Sequence, residues 1–530
     1  MSRKGPPELR TSVLLALVIG VASVEAALAA AVLAWPHPRL APSESALARV
    51  ALPGFAGRVA SVEVRSPDGA SVPAAYRDGR IWPLRRLDSG ERLTVTVTVR
   101  RPGLASWLVG DDDTRAFTVV TPRAQLLRRW LEVLHSRPAT ATFSIPVSRV
   151  KLGGGRPRLI AASSSLPLTA RGAGAGSVEV SAAARAWETL PAPTRVTWFP
   201  ERSAAQVLPS PATTARIRPN APLELTFSRP VAAVLRSTVP AVRPATAGSW
   251  RTIDAHTIEF VPAGFGFAFG SVVHVVLPAA AYVAGGTASA RTLTWNVSQG
   301  STLRLQQLLA GLGYMPVRWQ ERTDPPASSI SYQLAASVYA PAGAFSWRFP
   351  HTPAPLKQLW QPGRWNEITQ AAVMRFETDH GLPVDGAASP ALWKALLTAT
   401  VDGEAPRQGY TYVFVHSTIP ESLNLWHNGR VILTSPGNTG IPAAPTEPGT
   451  YPVFEHIPVG TMSGTNPDGS HYVDPGIQWI SYFHGGDAIH AFPRASYGTP
   501  QSLGCVELPL DAAAQVWPYT PVGTLVTIEN

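Results

Sequence analysis

One cysteine, Cys505, occurs in 530 residues. No intramolecular disulfide can staple any part of this chain, so each folded piece has to be held by its own buried core. The length allows this, being enough for roughly three to five domains. With 52 prolines, 43 glycines and 15% charged residues, the chain favours short strands, turns and linkers over long helices. Strand alternation is explicit in LTVTVTVRR, where Leu93, Val95, Val97 and Val99 share one face. The net charge of +10 is scattered as arginine, without a dense basic run interleaved with aromatics. That argues against nucleic acid as a partner and fits weak attraction to an anionic cell envelope.

The lone cysteine lies in SLGCVELP, near the C-terminus. Gly504 lets another group approach the backbone there, and Ser502 is a local polar partner. His490 lies 15 positions upstream in DAIHAFP, and His484 precedes it in YFHGG. A thiol needs a base or a positive neighbour to become a nucleophile, and histidine is the usual one. Cys505 is therefore a candidate nucleophile with His490 as its base. A packing cysteine is the alternative.

The stretch from about Tyr410 to Asn530 resembles the YkuD-type L,D-transpeptidase catalytic domain. The resemblance rests on His490 followed by Ser502, Leu503, Gly504, Cys505 and Val506. It rests also on PTEPGTYPV, where Thr446, Gly449 and Thr450 fit the family's turn and Pro448 is displaced by one. YTYVFVHS and LNLWHNGRVILTSPGNTG look like its opening strands. The resemblance implies a cysteine acyl-enzyme, with backbone N–H groups near Gly504 and Cys505 for the oxyanion. It implies peptidoglycan stem peptides as substrates and carbapenem-type β-lactams as inhibitors, and needs no cofactor and no metal. Met462, Tyr482, His484 and Glu507 are candidates for substrate binding, with Thr461, Ser463 and Phe483 beside them. A backbone carbonyl, Ser502 or Asp487 is available to orient His490. Glu507 departs from the family, where Arg or Asn is frequent. It either repels anionic stem peptides or is held structurally by an arginine such as Arg494. L,D-carboxypeptidase chemistry and a non-catalytic wall-binding protein are the competing readings.

Ahead of this domain, residues 300–400 resemble a three-helix peptidoglycan-binding module. STLRLQQLLAGLGY supplies one helix and WNEITQAAVMRFETDHGL a second. Ser389 as N-cap with Pro390 at the first position opens a third. An insertion of about 48 residues, 315–362, separates the first two helices. A loop of that length is unusual, and its aromatic residues suit packing on a neighbouring domain better than holding sugar.

Three sandwich-like units, about 40–122, 136–212 and 213–299, resemble the bacterial Ig-like modules that precede such catalytic domains. TFSIPVSRV (Thr142–Val150) and TFSRPVAAV (Thr226–Val234) match at six of nine positions, a weak repeat. RAQLLRRWLEVL (Arg123–Leu134) reads as a bridging helix. At the start, Arg3, Lys4 and Arg10 precede an apolar run from Val13 to Trp35. At about 1.5 Å per residue it spans a bilayer as an anchor; with a cut after Ala27-Leu28-Ala29 it is a signal peptide. Glu25 opposes the anchor by roughly 2.5–3.5 kcal/mol. Both readings export the rest of the chain. The expectation is a multidomain, mainly β protein. It has an N-terminal segment 1–36, Ig-like β-sandwiches, a small helical peptidoglycan-binding domain and a β-rich catalytic domain over 408–530.

Overall fold

The computed structural model describes residues 9–529, apart from 34, 55–56, 104–105, 107–108, 135, 171–173, 203, 285–289 and 323–328. Arg3 and Lys4 lie outside the described residues. A helix of 25 residues, Leu9–Leu33, opens the description. Among the described residues no helix is both long and apolar enough to cross a membrane. The chain divides into two compact units. The first is Met1–Leu208 with Thr226–Arg229 and Ala284–Thr287; the second holds the remainder.

The first unit is built of β-sheets. Strands Arg39–Ala41, Ala48–Ala51, Arg80–Pro83 and Ala74–Arg77 pair in that order, and Arg58–Arg65, Arg92–Arg100 and Asp112–Val120 form a second sheet. Val95, Val97 and Val99 meet Leu47, Val50 and Ile81 in one core. The alternation seen in the sequence thus buries one face of the central strand, as period-two pleating requires. A five-stranded sheet follows, ordered Arg158–Pro167, Thr140–Leu152, Gly176–Ala183, Thr194–Pro200, Trp130–Val133.

The expected helix over Arg123–Leu134 does not form. Trp130–Val133 is instead a parallel edge strand on Thr194–Pro200. Apolar spacing over so short a run suits either element, and ladder pairing decides for the strand. The repeat also splits. Its first copy lies inside the strand Thr140–Leu152, with a register shift beside Pro146. In the second copy the strand ends at Phe227, and Pro230 caps the short helix Val231–Leu235. Alanines follow the proline there, where the first copy has Ser148 and Arg149 leading into further alternating residues.

The second unit begins with a four-stranded sheet ordered Arg216–Ile217, Thr292–Val297, Val272–Val276, Ala241–Arg243, and with a hairpin of Gly248–Asp254 and Thr257–Pro262. The helical module contributes α1 (Thr302–Gly311), α2 (Ile330–Val338), α3 (Ala354–Gln358), α4 (Glu367–Asp379) and α5 (Pro390–Val401). Ser389 Oγ accepts the Leu392 N–H, so the expected N-cap of α5 is made. The 315–362 insertion is not a bare loop. It holds the hairpin β1 (Val317–Glu321) and β2 (Gly343–Trp347) together with α2 and α3. Leu356, on α3, is fully buried with Ile368 and Ala371 of α4 and with Tyr412, Trp426 and Leu525 of the C-terminal domain.

That domain has two sheets. The first contains β3 (Thr411–His416), β4 (Ser422–His427), β5 (Arg430–Pro436) and β6 (Gly449–Pro452). The second contains β7 (Glu455–Thr465), β8 (His471–His484), β9 (Asp487–Ala491) and β10 (Val506–Leu508). Helix α6 (Leu510–Val516) and β11 (Leu525–Glu529) close the chain. The strand orders are β5-β4-β3-β11-β6 and β7-β8-β9-β10. Val413, Val415, Ile489, Val506, Leu508, Val516 and Val526 fill the space between the sheets and α6.

Candidate active site

The pleat of β9 places the histidine. Ile489 and Ala491 point into the core between the sheets, while Ala488 packs with Met462, Ile477 and Ile480 on the other side. His490 alternates with its neighbours and so shares the face of Ala488. β10 runs parallel to β9 with His490 opposite Glu507. Val506 and Leu508 are core residues, so Glu507 faces the same way as His490.

Cys505 stands one residue before β10. It is half-buried against Met462, Ile477 and Ile480. A cavity of about 700 Å3 opens there, lined by Cys505, His490, Ser502, Met462, Tyr482 and Glu507 among others. Most of the sequence candidates thus come together. Thr461 and Ser463 join the wall. Three do not line it: Phe483 belongs to the core between the sheets, and His484 and Gly504 lie outside the lining. His484 instead places Nδ1 3.5 Å from Asp487 Oδ2 and packs on Tyr451 with ring centroids 4.5 Å apart.

The histidine is only 3% exposed, and its Nδ1 lies 3.0 Å from the Ala491 carbonyl. Burial holds its pKa below the ordinary 6.5, so the ring is neutral at pH 7. With Nδ1–H donating to that carbonyl, Nε2 is the free basic nitrogen. The thiol is pushed up to about 12. Burial is the main cause, with Asp487 and Glu507 adding to it and the Ala488 N–H opposing it. The thiol donates to the Gly486 carbonyl at 3.8 Å, and a neutral thiol and a neutral imidazole lining one cavity suit proton transfer during attack rather than a standing ion pair.

The loop carrying Cys505 is fixed on several sides. Ser502 Oγ donates to the Cys505 carbonyl at 2.6 Å, Ser502 N–H donates to Thr439 O, and Ile441 N–H donates to Ser502 O. Thr446 Oγ1 accepts the Gly440 N–H, so the PTEPG turn braces this same loop. Gly504 adopts φ +114°, and a Cβ there would lie 2.2 Å from Asp487 Oδ1. Only glycine suits both the backbone angle and the carboxylate above it.

Both oxygens of Glu507 are taken by Arg494, at 2.8 and 2.7 Å. Sequence reasoning missed Asp474, Tyr472 and Ile477, which line the cavity from β8. The signal available was NPDG, a turn with Gly469 at φ +87° that folds β7 and β8 into one long hairpin. Among the described residues no cluster of acidic, histidine or cysteine side chains could hold a metal.

Residues 410–528 match the family model of the L,D-transpeptidase catalytic domain, YkuD, and residues 358–396 match that of a peptidoglycan binding domain. No curated protein matches the chain. Among solved structures, an L,D-transpeptidase from Mycobacterium smegmatis is 14% identical, with 62% of this chain and all of that chain covered and a TM-score of 0.21. The catalytic domain of the E. faecium L,D-transpeptidase is 25% identical over 22% of this chain and 96% of that chain, with a TM-score of 0.21. L,D-transpeptidase 3 from Mycobacterium tuberculosis, in complex with a faropenem-derived adduct, is 13% identical over 61% and 98%, also at 0.21.

Residues 410–528, which carry both sheets and the cavity, belong to the YkuD class of catalytic domains. Residues 410–528 thus form an L,D-transpeptidase catalytic domain, and a peptidoglycan-binding module, matched over 358–396, lies ahead of it.

Proposed function

We propose that this enzyme forms peptidoglycan cross-links through an acyl-enzyme on Cys505, with His490 as the base. One observation carries the assignment: a half-buried thiol and a histidine kept neutral, with one ring nitrogen held by a carbonyl, line the same cavity. The Cys505 sulfur attacks the amide carbonyl that precedes the terminal D-alanine of a donor stem peptide, and its proton passes to His490 Nε2. Backbone N–H groups around Gly504 and Cys505 receive the oxyanion. Collapse breaks the C–N bond, His490 returns the proton to the leaving amine, and a thioester remains. The side-chain amine of a second stem peptide then attacks, releasing the thiol and leaving a 3→3 amide bond.

Met462, Tyr482 and Glu507 shape the donor side of the cavity, Ser502 and Gly504 position the thiol, and His484 acts only through Asp487. A carbapenem presents a strained amide carbonyl to the same sulfur and acylates it. The N-terminal segment directs export of the remainder as a signal peptide. N-terminal sequencing of the exported protein tests this, with a start after Ala29 as the expected result.

Incubation with a disaccharide-tetrapeptide tests the reaction by mass spectrometry. Cross-linked dimer with release of D-alanine is the expected product. Tripeptide alone identifies a carboxypeptidase, and unchanged substrate identifies a wall-binding protein without this chemistry.

A further inference from the structure

The first unit holds a cavity of about 470 Å3 that involves neither matched segment. Its floor is the strand pair Thr140–Leu152 and Gly176–Ala183. Val150, Leu152, Val180 and Ala182 of these strands pack in the core below. The pleat therefore turns Arg149, Lys151, Glu179 and Ser181 to the opposite face, where they line the cavity. Lys151 stands directly across from Ser181. Strand rise sets Arg149 and Lys151 about 7 Å apart along one strand. The walls are stiff. Leu87 N–H donates to Trp187 O at 3.4 Å and Thr189 N–H to Leu87 O at 2.9 Å, which holds Arg86 beside the run Thr189–Pro193. Pro157, Pro191 and Pro193 add walls whose backbone angles are fixed by their rings.

Three cations in this lining, Arg86, Arg149 and Lys151, face one carboxylate, Glu179. Glu179 is answered from outside the lining by Arg195, 3.7 Å away. Arg149 Nη1 donates to the Glu188 carbonyl at 2.8 Å, and among the described residues none of the three cations is paired with a carboxylate. The Glu188 carboxyl is fully buried, accepts the Ala184 N–H at 2.9 Å and lies outside the lining. Like charges gathered in a cleft focus a positive field, which an anion relieves. A planar carboxylate is satisfied by a single guanidinium. A phosphate directs its oxygens several ways and carries up to two charges, so it suits cations arriving from separate segments. Ser181, 4% exposed, brings a hydroxyl able to donate to a phosphate oxygen. Leu190, Ala192 and the prolines leave an apolar side for a carbon skeleton.

We propose that this cavity binds a phosphate group carried on a polyol or sugar, with Arg86, Arg149 and Lys151 on the phosphate oxygens. The same chemistry is offered by a free polyol phosphate and by a phosphate-linked polymer strand. Such a site holds the chain to a phosphate-bearing component of its surroundings without help from the peptidoglycan-binding module. Binding here requires no turnover, so it stands or falls apart from the acyl-transfer reaction.

Calorimetric titration of the full chain at low ionic strength tests it, with glycerol phosphate, poly(glycerol phosphate), polygalacturonate and glycerol as probes. The phosphate probes bind, glycerol gives no heat, and added salt weakens binding. Similar affinity per phosphate for the single unit and the polymer identifies a free polyol phosphate as the ligand; binding at least about tenfold tighter for the polymer identifies a strand. Arg86→Gln and Lys151→Gln each weaken binding about tenfold, the loss of one charged hydrogen bond. Glu179→Gln strengthens it roughly twofold, a gain that damage to the fold cannot imitate. Equal binding of polygalacturonate overturns the phosphate assignment. No heat from either phosphate probe overturns the proposal. Affinity unchanged in both the Arg86 and Lys151 variants does so too, because it places the anion elsewhere on a chain of net charge +10. Cross-linking of disaccharide-tetrapeptide is followed separately and reports only on Cys505.

Discussion

Arg494 clasps Glu507 in a two-pronged pair, Nε to Oε2 at 2.8 Å and Nη2 to Oε1 at 2.7 Å, on the strand face shared with His490. The carboxylate side chain is only 5% exposed. Such a planar, doubly bonded pair is stronger than a surface contact, and removal of one partner strands the other. Glu507→Gln should cost about 2–3 kcal/mol in urea unfolding, less than for a fully buried pair because Arg494 is 30% exposed. Glu507→Arg should lower stability and lose activity on amidated and non-amidated stem peptides alike. A change of substrate preference at unaltered stability would show that the carboxylate reads the substrate instead.

Cys505→Ala should abolish cross-linking and any β-lactam adduct while leaving the melting temperature within a few degrees of wild type. The residue is half-buried, so one sulfur atom is a small loss to the core. Cys505→Ser should be nearly as inactive, because a hydroxyl is a poor nucleophile beside a neutral imidazole. An adduct on the alanine variant would reveal a different reactive group.

The pH dependence follows from two shifts of known sign. His490 is depressed below 6.5 by burial, so the folded protein resists its protonation while the unfolded chain accepts it. Stability should therefore fall as pH drops from about 6.5 towards the folded value. The acid limb of kcat/KM should have its midpoint below 6.5. In His490→Gln the activity should vanish and the acid slope of stability should flatten. The raised thiol predicts iodoacetamide alkylation that keeps climbing with pH towards about 12. A plateau near neutral pH would mean a standing thiolate–imidazolium pair and would sink the general-base account.

Gly504→Ala combines a backbone angle of +114° with a Cβ 2.2 Å from Asp487 Oδ1. The left-handed angle alone costs roughly 1–2 kcal/mol, and the carboxylate has to move as well. Both stability and acylation rate should fall. Adding Asp487→Ala should recover the contact part and leave the backbone part, measured by comparing urea midpoints of the single and double variants. Full recovery in the double variant would show that the backbone angle is harmless.

The site was legible because its chemistry is local. Ser502, Gly504 and Cys505 are adjacent in the chain, and His490 needs only the next strand to reach them. Ser389 announced its helix for the same reason, since a cap and its N–H lie three residues apart. What stayed hidden depends on distant partners. Trp130–Val133 became a strand because Thr194–Pro200 offers an open edge. Two nonapeptides alike at six of nine positions diverge already ahead of the proline, the strand running on through Pro146 in the first and ending at Phe227 in the second. Asp474 reaches the cavity only because a turn at Gly469 folds a long hairpin back on itself.

The apolar seam around Leu356 has a consequence for any attempt to cut this protein apart. Leu356, Ile368 and Ala371 come from the helical module, while Tyr412, Trp426 and Leu525 come from the catalytic domain, and all six are at most 1% exposed. A fragment severed near residue 408 would leave Tyr412, Trp426 and Leu525 facing water with nothing to replace their cover, a sticky surface of the kind that drives aggregation. Substitutions on one side of the seam are constrained by the shape of the other, so a module exchanged for a foreign one has to bring a matching surface with it.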